Sequence, residues 1–117
     1  MTFFSKHLGA LAAGVAASVL FVGAALADPA IIYDLGGKFD KSFNEAAFNG
    51  AEAWKKATGG NYTDLELQND AQREQALRRF ASQGAQPIVM AGFSWGTALT
   101  TVAAEFPDTH FIVIDAV

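Results

Sequence analysis

The sequence predicts an α/β fold: an open parallel sheet with helices on both faces and strand order 2-1-3-4. Two observations carry this reading. Short apolar runs alternate along the chain with segments of helical periodicity, as strands alternate with crossover helices. The third run, from Pro87 to Ala91, has no polar residue, which suits a central parallel strand buried on both faces. With right-handed crossovers, that order places the topological switch between strands 1 and 3, where open sheets hold their ligands.

Each element follows from local chemistry. The first strand covers Ala30 to Tyr33, and a helix is expected from Ser42, which forms a capping-box pair with Glu45 three residues on. Its inward stripe is predicted to be Phe43, Ala47, Gly50, Ala51 and Trp54, with Glu45, Asn49, Glu52 and Lys56 facing out. Thr58-Gly59-Gly60 ends it. Tyr62 to Leu67 alternates in the manner of a strand with one wetter face. Asn69-Asp70 is then read as the cap of a helix over Ala71 to Gln83, buried through Leu77, Phe80 and Ala81 and stopped by Gly84. After the third strand, Gly92 to Gly96 turns into a helix from about Thr97 to Phe106, closed by Pro107, with Ser94 or Thr97 as its cap. Phe111 to Ile114 is expected as a fourth buried strand ending in Asp115. No internal repeat, linker or second domain is visible.

The chain has 117 residues, 51% of them apolar, enough for one core. A formal charge of -4 and the absence of a basic face argue against a nucleic-acid partner. The adjacent pairs Lys55-Lys56 and Arg78-Arg79 read as solvated helix faces. Residues 1–27 differ in kind: Lys6 and His7 precede an uncharged stretch from Leu8 to Ala27 ending in the small-x-small pattern Ala25-Leu26-Ala27. This predicts an export signal cleaved after Ala27, with a membrane anchor as the alternative. There is no cysteine, hence no disulfide, thiolate metal site or lipid-bearing cysteine. A soluble protein of the periplasm is the expected product. The last strand lies so close to Val117 that it is expected to form an exposed apolar edge, which suggests further chain or some other cover.

Three groups converge on the switch point: Asp34 to Asn44 after strand 1, Gly92 to Ser94 after strand 3, and Asp115 after strand 4. A flexible Gly36-Gly37 turn, carboxylates, an aromatic ring and an amide at the mouth of a parallel sheet predict capture of a small molecule. Phe93 is a candidate for the wall of that crevice. A rival reading comes from Gly92-Phe93-Ser94-Trp95-Gly96, which matches the Gly-x-Ser-x-Gly elbow of serine hydrolases. An elbow serine needs a histidine base, and outside the leader the chain offers only His110, at the opposite end of the sheet. Ser94 is then an unactivated hydroxyl. A lone histidine likewise supports no metal site, and no cofactor is implied.

The stretch Asp34-x-Gly36-Gly37-x-x-Asp40-Lys41-Ser42-Phe43-Asn44-x-x-Ala47-x-x-Gly50 resembles the opening motif of the basic membrane protein (PnrA-like) family, substrate-binding proteins of ABC importers often specific for purine nucleosides. Gly92-Phe93 and Phe111-Ile112-Val113-Ile114-Asp115 resemble its later landmarks in the same order. The resemblance implies the N-terminal lobe, residues 28–117, of a two-lobed periplasmic binding protein whose second lobe is absent from this sequence. It implies a purine nucleoside as ligand and an ABC permease as partner, with no catalysis; a sensor that signals to a receptor is the alternative among binding proteins. By the same resemblance, Phe43 would stack on the base, Asn44 and Asp34 would supply polar contacts, and Asp115 a carboxylate for a hydroxyl or ring N–H. Which aspartate reads base and which reads sugar stays open.

Overall fold

The computed structural model describes residues 27–115, together with Gly14 and Ser18. The predicted leader otherwise lies outside the described residues. Four strands, β1 (Ala30–Tyr33), β2 (Thr63–Glu66), β3 (Ile88–Ala91) and β4 (Phe111–Ile114), form one sheet in the order β2-β1-β3-β4. All pairings are parallel, with Ile32 opposite both Leu65 and Met90, and Met90 opposite Val113. The crossovers carry three helices, α1 (Phe43–Thr58), α2 (Arg73–Ser82) and α3 (Gly96–Ala103). The predicted architecture and strand order are those observed.

The period-two geometry of the strands divides the sheet into two faces. Ala30, Ile32, Ile88 and Met90 point to one side and build the main core with Leu77 and Phe80 of α2, Val102 of α3 and the fully buried Trp95. Ile31, Tyr33 and Val89 point to the other side and meet α1 through Ala47, Phe48 and Ala51. Along the α1 side runs an apolar trough of about 510 Å³. Trp54 and Pro87 line it toward the amino ends of the strands, and Phe43 and Ile114 toward their carboxyl ends.

Three expectations are corrected by this packing. The strand β4 is not buried on both faces: Phe111 and Val113 pack against the main core, whereas Ile112 and Ile114 are 48% and 37% exposed. The predicted inward stripe of α1 is only partly covered. Ala51 is buried, but Phe43 and Trp54 remain 56% and 40% exposed as walls of the trough. Helix α3 stops at Ala103, short of Phe106, because the chain tightens there: Glu105 and Phe106 donate to the carbonyls of Val102 and Ala103.

The helix starts also differ in chemistry from the expected caps. Ser42 precedes α1, but its hydroxyl caps nothing. Asp40 does the work instead, accepting from the N–H groups of Ser42 (2.8 Å) and Glu45 (3.1 Å) on one oxygen and Asn44 (3.3 Å) on the other. The return arm of the capping box also slips by a residue, since Glu45 accepts from the Lys41 N–H at 2.9 Å. Neither Asn69 nor Ser94 nor Thr97 caps through its side chain. Both α2 and α3 continue directly from 3₁₀ turns, Asp70–Gln72 and Phe93–Trp95, so the N–H groups of Arg73 and Gly96 are already bonded to the carbonyls of Asp70 and Phe93.

Candidate functional site

The loop from Asp34 to Ser42 leaves the carboxyl end of β1 at the switch point, and its shape is set by backbone conformations that the sequence makes accessible. Gly36 and Gly37 take φ of +107° and +77°, the left-handed side of conformational space. A β-carbon at Gly37 would lie 2.8 Å from Glu66 Oε1, the oxygen that accepts the Lys38 N–H at 2.9 Å. Lys38 then reaches across β2, its ammonium 2.9 Å from Asp64 and 5.4 Å from the centre of the Phe48 ring. The bond to Asp64 raises its pKa above the ordinary value despite partial desolvation. The loop is therefore strapped to the neighbouring strand.

Asn44, predicted as a ligand contact, is 1% exposed, and its amide is already engaged. Its Oδ1 accepts from the Asp34 N–H at 2.9 Å, and its Nδ2 donates to the carbonyls of Asp34 (3.0 Å) and Leu35 (3.4 Å). The geometry gives it the task of joining the start of α1 to the end of β1. Its direct contact with a ligand is not something this arrangement supports.

Asp34 sits at the centre. Its Oδ1 accepts from the Leu35 N–H at 2.8 Å and from Arg73 Nη2 at 2.5 Å, while Oδ2 lies against Gly92 at the end of β3. Gly92 takes φ +98°, and a β-carbon there would stand 2.5 Å from that oxygen. Two glycine properties, conformation and lack of bulk, thus make room for the carboxylate between the two strand ends. Arg73 is 6% exposed and bonds Asp70 as well, through Nε at 3.0 Å and Nη2 at 2.7 Å. Its guanidinium lies 4.8 Å from the centre of the Trp95 ring, and Trp95 is itself held by a 2.9 Å bond from Nε1 to the Ala91 carbonyl. Burial acts to lower the Arg73 pKa, but the bonds to Asp34 and Asp70 outweigh it and raise the value.

The other predicted residues stand on the same rim. Phe43 opens α1 beside Asn44, 56% exposed; Phe93 follows Gly92, 73% exposed; Leu35 and Phe39 add apolar surface at 43% and 67%. Asp115 follows β4 at φ +67° and is exposed, next to the point where the Gly92 N–H donates to the Ile114 carbonyl at 3.0 Å. Asp34 is brought into direct contact with Asn44 on one side and Gly92 on the other. Phe43, Phe93 and Asp115 share the rim without touching that cluster through a hydrogen bond. Ser94 is exposed on this rim, whereas the His110 N–H is held at the opposite end of the sheet by Gln86 Oε1 at 2.6 Å. Among the described residues no group of acidic or histidine side chains is arranged to hold a metal ion, and no helix is long and apolar enough to cross a membrane.

Sequence reasoning missed Arg73, Lys38 and the space-making role of Gly92. A signal for Arg73 was present: it falls four residues before Leu77 and seven before Phe80, on the buried stripe of its own helix.

Residues 27–117 match a family model described as ABC transporter substrate-binding protein PnrA-like. An uncharacterized lipoprotein of Pyrococcus furiosus is 37% identical over 91 residues, covering 74% of this chain and 22% of the relative. An ABC transporter nucleoside-binding protein BmpA of Lactococcus lactis subsp. cremoris is 30% identical over 94 residues, covering 75% and 26%. Among solved structures, an ABC transporter solute-binding protein of Aeropyrum pernix superposes with a TM-score of 0.72 at 31% identity, over 77% of this chain and 25% of that one. A solute-binding protein of Conexibacter woesei gives 0.60 at 32% identity, over 73% and 28%. The chain spans about a quarter of the length of the curated relatives it matches.

Proposed function

Because this chain belongs to the PnrA-like family of ABC transporter substrate-binding proteins, we propose that residues 28–117 act as the N-terminal lobe of an exported binding protein that captures a purine nucleoside and delivers it to an ABC permease. The observation that carries this reading is the pairing of an exposed aromatic ring, Phe43, with a fixed carboxylate, Asp34, at the switch point of the sheet. A flat heteroaromatic base offers one face to Phe43 and an edge N–H to Asp34, while its ribose hydroxyls fall within the chemistry of Asp115. Phe93 supplies a second apolar wall. The nucleoside-binding name of the Lactococcus lactis relative supports the ligand class.

In this reading the protein performs no covalent chemistry; it binds, closes with a second lobe and releases. The leader is removed after Ala27 and the product works in the periplasm. Calorimetric titration of the full natural chain with inosine, guanosine and adenosine tests the proposal, with cytidine as the smaller-ring control. Phe43→Ala is expected to weaken purine nucleoside binding by about tenfold or more, the range of one base-aromatic stack. An affinity within twofold of the unaltered protein, in a variant with unchanged circular dichroism, would overturn the stacking role.

A further inference from the structure

We propose that Arg73 is a positioning residue of the binding site, acting through Asp34 to fix which carboxylate oxygen meets the ligand. The inference rests on the reading above that Asp34 contacts the ligand, and adds the group that sets its orientation. The argument begins with cost. Arg73 is 6% exposed, and its Nη1 is buried without a hydrogen-bond partner among the described residues. A buried ion pair is weak evidence for stability, since apolar residues of similar volume often serve as well. A position on the apolar stripe with Leu77 and Phe80 would be filled by a methionine or leucine if packing were the whole requirement.

What an apolar residue cannot do is hold Asp34. The guanidinium is a planar fork, here laid on the Trp95 ring at 4.8 Å and bonded on its edge to Asp70 and Asp34. Asp70, whose side chain is 75% exposed, holds the fork from outside, and Asp34 is held from within. Oδ1 of Asp34 is thereby spent on Arg73 Nη2 and the Leu35 N–H. Among the described residues no donor is bonded to Oδ2, which stands beside Gly92 at the carboxyl end of β3. The carboxylate is presented as a single, oriented acceptor instead of a freely rotating pair. Lysine carries the charge but not the fork, so it lacks the two-nitrogen hold on Asp70 that fixes the donor meeting Asp34, and the carboxylate would be left free to turn.

The test is a double-mutant cycle in the full natural chain, read in two ways. By calorimetry with inosine, Arg73→Gln and Asp34→Asn are each expected to weaken binding at least tenfold. The double variant is expected to bind within twofold of Asp34→Asn alone, because Arg73 has nothing left to orient. Arg73→Lys is expected to fall between the unaltered protein and Arg73→Gln, and takes the place of Arg73→Gln in the cycle if that variant does not fold. Additive losses would mean that Arg73 acts on the fold at large, and would overturn the proposal. The second readout needs no ligand: the Leu35 amide, bonded to Asp34 Oδ1, is expected to exchange with solvent at least tenfold faster in the Arg73 variant, with amides of β3 unchanged. Unaltered Leu35 exchange would overturn the positioning role whatever the protein binds. Failure of the unaltered chain to bind any purine nucleoside would instead overturn the ligand class, leaving the exchange result to decide on Arg73.

Discussion

At Gly92 the chain passes from β3 into its turn with φ +98°, and a β-carbon would stand 2.5 Å from Asp34 Oδ2. Substitution by alanine therefore meets two obstacles at once, a left-handed backbone and the oxygen assigned to the ligand. Gly92→Ala is expected to lower stability by about 1–3 kcal/mol in urea denaturation and to weaken ligand binding as Asp34 is pushed aside. A variant with the original denaturation midpoint would contradict this account. Residues of this kind were only partly legible in the sequence. The positions of Asp34, Phe43 and Asp115 follow from strand and helix boundaries, which periodicity reveals. The employment of Asn44 does not, because an amide near a binding loop reads equally well as a contact or a fastener until its three partners are seen. Arg73 is hard to single out because arginine ordinarily marks a solvated face, although its spacing puts it on the buried stripe.

At the scale of elements, the entry into α1 is governed by a carboxylate that precedes the expected cap. Burial acts to raise the Asp40 pKa, but the backbone N–H groups of Glu45, Ser42 and Asn44 outweigh it and hold the value below that of an ordinary aspartate. A lowered folded-state pKa contributes stability that is complete above the unfolded value, about 3.9, and is lost as pH falls through the lower folded value. Asp40→Asn is accordingly expected to melt below the unaltered protein at neutral pH, with the gap closing as the pH falls below the ordinary aspartate range. A gap that stays constant across thermal melts at several pH values would show that charge is not what Asp40 contributes. The existence and order of the elements were readable because four apolar runs alternate with three helical patterns, while the caps were not. The capping-box pattern names Ser42 and Glu45, whereas Asp40, two residues earlier, reaches the same N–H groups because Lys41 turns the backbone at φ +58°.

Over the whole molecule, the two faces of the sheet are unequally dressed: α2 and α3 lie against one, and α1 lies along the other beside an apolar trough. The sequence of β4, Phe-Ile-Val-Ile, carries no mark of this, since every residue is apolar whichever way it points. The difference is measurable. Ile112→Thr, at a half-exposed position, is expected to change stability by no more than about 0.5 kcal/mol. Val113→Thr, which sets a hydroxyl against the core, is expected to cost about 1–3 kcal/mol. Equal effects in chemical denaturation would refute the assignment of faces. The fastening of Asn44 carries a last implication. By tying the first residue beyond β1 to the first turn of α1, it turns the intervening loop into a closed ring, strapped again at Lys38. A ring has already surrendered most of its conformational entropy during folding, so under the proposed function an arriving ligand would meet a formed wall and spend none of its binding energy on ordering it.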